Sequence, residues 1–137
     1  MSSTKSNIME KKTINPWAWQ KERNYNQAVE VSNVQSTLYC SGQAAIDQEG
    51  ISSNADMKSQ LLQAISNLEE VISTAGYELS NIVKLNVYST ATDEFLSHFH
   101  ILKKWVALHK IEQALTVVEV VALYETLKVE LEAVAVK

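Results

Sequence analysis

Two carboxylates stand inside apolar stretches, where a charged group has chemical consequences. Glu130 lies within the run Val129–Val136, and Glu119 lies within Leu115–Val121. A carboxylate in a covered strand must be paired, hydrogen-bonded or neutralised, and neutralisation raises the pKa of the carboxyl group. Groups with a raised pKa concentrate at functional sites. For both carboxylates, a salt bridge to a lysine across the sheet and plain exposure to water remain open as alternatives.

A glycine without an evident turn is the second feature that points to a site. Gly42 lies near the end of the apolar strand Leu38–Gln43, whereas Gly50 and Gly76 fit a turn and a helix end. A glycine in such a position marks either a β-bulge or the close approach of a ligand or another backbone. Both interpretations remain open.

Other catalytic patterns are missing from the sequence. His98 and His100 lie two residues apart on a predicted helix, on different faces, and His109 is more than two turns away, so we expect no metal site. The sequence has no phosphate-cradling glycine loop and no Gly-x-Ser-x-Gly elbow. Cys40 has no histidine near it in sequence and is predicted to pack as a small apolar side chain.

The composition excludes several classes of protein. The 137 residues include 12 lysines and arginines against 16 aspartates and glutamates, which gives a net charge of −4. Binding to nucleic acid through phosphate neutralisation needs a basic excess, which this chain lacks. A single cysteine suits a reducing compartment, and no apolar run reaches the roughly 18 residues of a membrane span. We therefore expect a cytoplasmic protein without nucleic-acid or membrane partners.

The length fits one domain. Residues 1–14 are mostly small and polar, and we expect them to form a flexible N-terminal tail before a single domain over residues 15–137. Trp17 and Trp19 follow the only proline. We expect their rings to pack on an apolar surface, and contact with a ligand is the alternative.

Hydrophobic periodicity predicts the element order β-β-α-β-α-β-β. Apolar residues at four- and three-residue steps predict the clearest helix, from residue 53 to 75, capped by Ser53 or Asn54. A second helix is predicted from about residue 92 to 110. The predicted strands are 28–31, 38–41, 82–89, 115–121 and 127–136. This order favours an α+β domain with two helices on one face of a mixed sheet.

The predicted strands carry apolar side chains on both faces, although two helices cover only one face. In strand 82–89, Val83, Leu85 and Val87 are predicted to face the helices. The residues predicted on the uncovered face are Thr116, Val118, Val120, Val134 and Val136. Soluble monomers rarely expose an apolar face of this size. We therefore expect the domain to cover this face with copies of itself, in closed cyclic symmetry.

Several segments, taken together, resemble the RidA/YjgF family, the reactive-intermediate deaminases that are also described as L-PSP endoribonucleases. The matching segments, in the family's order, are Tyr25–Val29, Leu38–Gln43, Asn67–Val71, Ala75–Gly76, Ile82–Tyr88, Val118–Val120 and Val129–Val136. The resemblance implies a chorismate-mutase-like α+β fold, with a mixed sheet of about six strands and two helices on one face. It also implies a homotrimer whose sheets form a central barrel, with ligand clefts between neighbouring subunits.

The resemblance further implies an activity and a site. Active members hydrolyse 2-imino acids to 2-keto acids and ammonia without a metal or a cofactor, so we expect no cofactor here. By matching position, Glu130 and Ser41 are implied as catalytic residues, with Glu130 holding the attacking water. Tyr25 and Ser41 are expected to line the cleft, and Gly42 to give close backbone access.

Three substrate-binding positions depart from the family's pattern. Leu115 stands where active members carry an arginine that grips the substrate carboxylate, and Phe99 and Val117 stand where they tend to have Asn and Cys. An aliphatic side chain at position 115 removes a hydrogen-bond donor to the substrate carboxylate and adds a desolvation cost for an anion. Two functions stay open, which are the binding of a small molecule in a more apolar cleft and the imine/enamine deaminase reaction. Ribonuclease activity is supported only by the family's alternative description, and the negative net charge of the chain disfavours it.

Overall fold

The computed structural model describes residues 8–137 and has the α+β class that the sequence predicts. The strands are β1 (Glu10–Ile14), β2 (Ala28–Ser32), β3 (Thr37–Ala44), β4 (Ile82–Ser89), β5 (Ala114–Glu119) and β6 (Val129–Val136). The helices are α1 (Met57–Thr74), α2 (Thr92–Leu96) and α3 (Phe99–Leu108), with short 3₁₀ helices at Lys21–Arg23 and Leu79–Asn81. No helix within the described residues has the length and apolarity needed to cross a bilayer.

The six strands are divided between a four-stranded sheet and a hairpin. The sheet has the order β3-β6-β4-β5, in which β6 is antiparallel to both neighbours and β4 is parallel to β5. The connection from β4 to β5 runs through α2 and α3, as a parallel pair requires a crossover. β1 and β2 form an antiparallel pair, and a bridge between Asn26 and Ala114 joins the start of β2 to β5.

Helix α1 covers one face of the sheet and forms most of the core. Its predicted apolar stripe is confirmed, because five residues at helical spacing are buried: Met57, Leu61, Ile65, Leu68 and Ile72. They pack against the inward side chains of β4 and β6, which are Leu85, Val87, Leu131, Ala133 and Ala135. The N-cap is Asp56, whose carboxylate accepts a hydrogen bond from the Ser59 amide at 2.9 Å, and not Ser53 or Asn54 as predicted.

Two other local predictions were wrong. The predicted helix over residues 92–110 is interrupted after Leu96, where the hydroxyl of Ser97 donates to the Glu94 carbonyl at 2.7 Å. A short polar side chain that bonds to its own backbone in this way competes with helix continuation. In β4 the pairing shifts between Ile82 and Lys84, so that Ile82 is fully buried and Val83 is only half-buried.

Part of the predicted tail is a strand. Residues 10–14 form β1, which pairs along its whole length with β2, and the ammonium of Lys11 donates to the carbonyl of Ser80 at 2.7 Å. The first seven residues of the predicted tail lie outside the described residues. The strand was missed because its side chains are mostly polar and exposed, which leaves no alternating apolar signal.

The face of the sheet opposite the helices is less apolar than predicted. Val118 and Val134 lie partly exposed there, but polar side chains of β4 and β6 lie between them. Val136 is only 3% exposed in the single chain, so it does not add to the uncovered surface. An apolar face alone is therefore weaker support for self-association than the sequence suggested.

Candidate functional site

Tyr25 is fixed at the junction between the hairpin and the four-stranded sheet. Its neighbour Asn24 has φ of 55°, a left-handed conformation that asparagine tolerates, and its amide donates to the carbonyl of Lys103 in α3 at 3.1 Å. The buried amide of Gln113 donates to the Asn24 carbonyl at 3.0 Å, and the backbone N–H of Asn26 donates to the Gln113 carbonyl at 2.9 Å. Both neighbours of Tyr25 are thereby bonded to the residue that precedes β5, and Asn24 is also bonded to α3.

Four of the sequence-predicted site residues line one cavity of about 290 Å³, which we call the β5 pocket. Its lining residues are Arg23, Tyr25, Leu96, Phe99, Leu115 and Val117. Leu115 and Val117 project from β5 on the side of the helical core, in register with Leu85 and Val87. Phe99 begins α3 and packs its ring edge-to-face on Phe95, with 6.0 Å between ring centroids. The walls of the pocket are therefore mainly apolar.

The remaining predicted residues lie together on β3 and β6. The pairing of these strands shifts between Cys40 and Gln43, which shows that the bulge interpretation of Gly42 is correct. A Cβ atom at Gly42 would overlap the carboxylate of Glu130, so the glycine is needed for the approach of this side chain. Ser41 is exposed in the same bulge. We call Ser41, Gly42 and Glu130 the Gly42 site.

Two side-chain amides, one half-buried and one fully buried, hold the loops around the Gly42 site. Asn67 of α1 donates to the carbonyls of Ala44 and Ile46, each at 2.8 Å, and so fixes the chain as it leaves β3. The fully buried Gln60 accepts a hydrogen bond from the Lys128 amide at 2.8 Å and donates to the carbonyl of Thr126 at 3.2 Å. These contacts position the start of β6, and with it Glu130.

The two carboxylates singled out from the sequence differ in their surroundings. Glu119 accepts hydrogen bonds from the amide and the hydroxyl of Thr92, at 3.0 and 2.9 Å, and these bonds lower the pKa of its carboxyl. Glu119 thus caps α2. Glu130 is half-buried, and no lysine, arginine or histidine in the described part of the chain forms an ion pair with it. Its carboxylate is therefore available to a ligand or a water molecule.

A third carboxylate, which the sequence did not indicate, lies beside Glu130 on the same face. Glu132 accepts hydrogen bonds from the amide of Asn86 and the hydroxyl of Tyr88, both at 2.9 Å. These bonds lower the pKa of the Glu132 carboxyl, and the bond to Glu132 raises the pKa of Tyr88. The signal was present in the sequence, since Asn86 and Tyr88 alternate in β4, but their partner depends on the register of β6.

Cys40 and the histidines do not belong to the β5 pocket or to the Gly42 site. Cys40 is buried in the core as predicted, and burial raises the pKa of its thiol. His109 lies 3.7 Å from a carboxylate oxygen of Glu69. Over residues 8–137, the His, Cys, Asp and Glu side chains form no group of three or more that could hold a metal ion.

We expected the rings of Trp17 and Trp19 to pack on an apolar surface, and they do not. Trp17 and Trp19 are 58% and 54% exposed and stack on each other, with 6.4 Å between centroids. Trp19 also meets the edge of Tyr25, at 6.4 Å, and the guanidinium of Arg23 lies 5.3 Å from the Trp19 ring centroid. Arg23 and Leu96 also line the pocket, and the sequence pattern did not indicate them. For Arg23 the only signal was its place between Trp19 and Tyr25.

The β5 pocket and the Gly42 site are far apart within one chain. β5 and β3, which carries Ser41 and Gly42, are the opposite edges of the four-stranded sheet, and at about 4.8 Å per strand they lie roughly 14 Å apart. Glu130 lies on β6, which is two strands, or roughly 10 Å, from β5. They also use opposite faces, because Leu115 and Val117 pack with the helical core whereas Glu130 alternates with the buried Val129 and Leu131. One chain therefore cannot bring both sets of residues to one ligand.

Comparison with known proteins gives consistent matches over most of the chain. The family model described as Endoribonuclease L-PSP matches residues 17–137. A RutC family protein of Pyrococcus horikoshii is 30% identical over 114 residues, which are 82% of this chain and 86% of the relative. The 2-iminobutanoate/2-iminopropanoate deaminase of Escherichia coli K12 is 28% identical over 114 residues, which are 82% and 87% of the two chains. The crystal structure of the YjgF gene product of E. coli matches with a TM-score of 0.68 and 26% identity, over 92% of this chain and 98% of that one.

Proposed function

Because this chain belongs to the RidA/YjgF family, whose family model is described as Endoribonuclease L-PSP, we propose that it binds a small metabolite in clefts between identical subunits. The expected assembly is a homotrimer, as the resemblance implies. In it, the β5 pocket of one subunit faces the Gly42 site of the next. Each cleft then combines apolar walls with the carboxylate of Glu130.

The separation of the two half-sites within one chain carries this proposal. The β5 pocket lies at one edge of the sheet, whereas Ser41 and Gly42 lie at the other edge and Glu130 lies on the other face. Closed cyclic symmetry places the same two surfaces opposite each other at every interface. A second copy of the chain therefore completes both half-sites, whereas no rearrangement of side chains within one chain does so.

The chemistry of the β5 pocket favours binding over catalysis. Leu115 and Val117 contribute aliphatic groups, and Phe99 contributes an aromatic ring, where active members of the family carry polar side chains. A bidentate contact from arginine to a carboxylate contributes about 1.5–3 kcal/mol. Without such a contact from position 115, a 2-imino acid loses a main source of orientation, and the value of kcat/KM falls roughly ten- to several-hundred-fold.

A ligand screen combined with one variant tests this proposal. We expect small metabolites with an apolar body to raise the melting temperature of the wild-type protein more than short 2-imino or 2-keto acids do. We also expect the wild type to show no deaminase rate above background, and Leu115→Arg to gain one. If only short 2-imino or 2-keto acids raise the melting temperature, the binding proposal is wrong.

The imine deaminase reaction is the second candidate, and the position of Glu130 favours it. Its carboxylate lies against Gly42 without an ion pair in the described chain, as a group that holds an attacking water requires. Hydrolysis of freshly generated 2-iminobutanoate by the wild type, Glu130→Gln and Glu132→Gln distinguishes the two functions. Glu132→Gln is the matched control, because it removes the same charge from the same strand. A wild-type rate that Glu130→Gln abolishes and Glu132→Gln retains would establish the deaminase and refute binding alone.

A further inference from the structure

One cationic side chain lies among the apolar walls of the β5 pocket. Arg23 is the only arginine in the chain, and it lines the pocket together with Leu96, Phe99, Leu115 and Val117. Within residues 8–137 its guanidinium makes no salt bridge and no hydrogen bond. All five of its N–H donors are therefore free for a ligand.

The aromatic residues of the N-terminal segment hold this guanidinium in place. Arg23 lies 5.3 Å from the ring centroid of Trp19, which is within the range of a cation–π contact. Trp19 in turn stacks on Trp17 and meets the edge of Tyr25, another residue of the pocket. A guanidinium lying on an aromatic face loses less freedom when it binds a planar anion, because its fork is already oriented.

We propose that Arg23 is the anion-binding residue of the β5 pocket, and that the ligand is a small monocarboxylate with an aliphatic side chain. This proposal rests on the proposed function, since it assigns the ligand class of the same cleft. The volume of about 290 Å³ suits a molecule of this size, and four apolar side chains surround its body. A carboxylate is planar and singly charged, as one guanidinium fork requires, whereas a phosphate monoester carries more charge than this single cation balances.

The proposal also gives the two tryptophans a role. Their exposure is unusual for side chains of this size, and their contacts link them to Arg23 and Tyr25 rather than to the core. Trp19 is thus a positioning residue, which acts on the ligand through Arg23. Trp17 supports Trp19 by stacking on it.

Isothermal titration of the full chain with two matched probes tests the role of Arg23. The probes are 4-methylpentanoate and its neutral amide, 4-methylpentanamide, which differ in charge but hardly in shape. We expect Arg23→Gln to weaken binding of the carboxylate roughly 10-fold or more and to leave binding of the amide unchanged. Lys21→Gln is the matched control, because it removes one positive charge from the same 3₁₀ helix outside the β5 pocket, and we expect it to change neither affinity more than about twofold.

Further measurements separate failure of this inference from failure of the proposed function. Trp19→Ala is expected to weaken binding of the carboxylate several-fold and Trp19→Phe to restore most of it, with circular dichroism confirming that each variant is folded. If Arg23→Gln binds 4-methylpentanoate as tightly as the wild type does, the role of Arg23 is refuted while ligand binding in the cleft stands. Tighter binding of 3-methylbutyl phosphate than of the carboxylate refutes the ligand class. Failure of the wild type to bind either probe also refutes this inference, whereas the wider metabolite screen decides the proposed function.

Discussion

Replacement of Gly42 by alanine places a methyl group in the space that the Glu130 carboxylate occupies. The three atoms nearest to an added Cβ all belong to the Glu130 side chain, and they lie well inside van der Waals contact. The backbone at Gly42 is not in the left-handed region, so the alanine itself adopts this conformation without strain. The overlap with one side chain is therefore the main cost of the substitution.

The expected magnitude follows from two opposing contributions. Forcing Glu130 away from its preferred rotamer costs about 0.5–1.5 kcal/mol. Replacing glycine by alanine restricts the unfolded chain, which stabilises the folded state by about 0.4–1 kcal/mol. In the Glu130→Ala background the carboxylate is gone and only the second contribution remains. We therefore expect the effects of Gly42→Ala and Glu130→Ala on the free energy of unfolding to be coupled by about 1 kcal/mol.

A double-mutant cycle measured by urea denaturation tests this expectation. The control is Gly50→Ala, since Gly50 has φ of 82° and no atom lies within 4 Å of an added Cβ. That substitution is expected to lower the free energy of unfolding by about 1–2 kcal/mol through backbone strain, and by the same amount with and without Glu130. A coupling below about 0.3 kcal/mol between positions 42 and 130 would show that the two residues are not in contact, and the Gly42 site would lose its basis.

Three further predictions concern the groups that support the site. Gln60→Leu removes a fully buried amide and leaves the N–H of Lys128 without its acceptor, and we expect a loss of about 1–3 kcal/mol in the free energy of unfolding by urea denaturation; an unchanged midpoint would contradict the assigned hydrogen bond. The hydrogen bond from Asn86 is the main cause that lowers the pKa of the Glu132 carboxyl. Its contribution to stability is therefore present above the ordinary carboxyl pKa of 4.5 and is lost as the pH falls through the lower folded-state pKa. We therefore expect the stability of Glu132→Gln to decline less steeply below about pH 4.5 than that of the wild type, and parallel declines would be inconsistent with this network. Phe95→Ala empties a fully buried position and is expected to cost about 3–5 kcal/mol, measured by urea denaturation, whereas a cost below about 1 kcal/mol would mean that Phe95 is not in the core.

The elements that the sequence predicted well are those in which one apolar pattern is strong enough to decide the structure. The stripe of α1 and the alternation of β6 are examples, because both bury one side along their full length. The pattern fails where a local hydrogen bond or a register shift intervenes. The break after Leu96 and the shift between Ile82 and Lys84 leave no mark in hydrophobic periodicity.

The candidate site depends on contacts between residues distant in sequence, and these are harder to predict. The sequence and the family resemblance indicated Tyr25, Leu115 and Val117, but only the sheet order shows that they share a pocket away from Gly42. Arg23 was missed because nothing in the pattern of a short polar turn shows which way its side chain extends. Its contact with Trp19 requires the three-dimensional path of residues 17–25.

Sedimentation velocity of the wild-type protein at micromolar concentration tests the shared-cleft account most directly. Each half-site needs the facing surface of another copy, and the expected assembly is a trimer. We therefore expect a species of about three times the 15.3 kDa mass of the chain. A stable species of 15.3 kDa would mean that the β5 pocket and the Gly42 site never meet, and the proposed cleft would not exist.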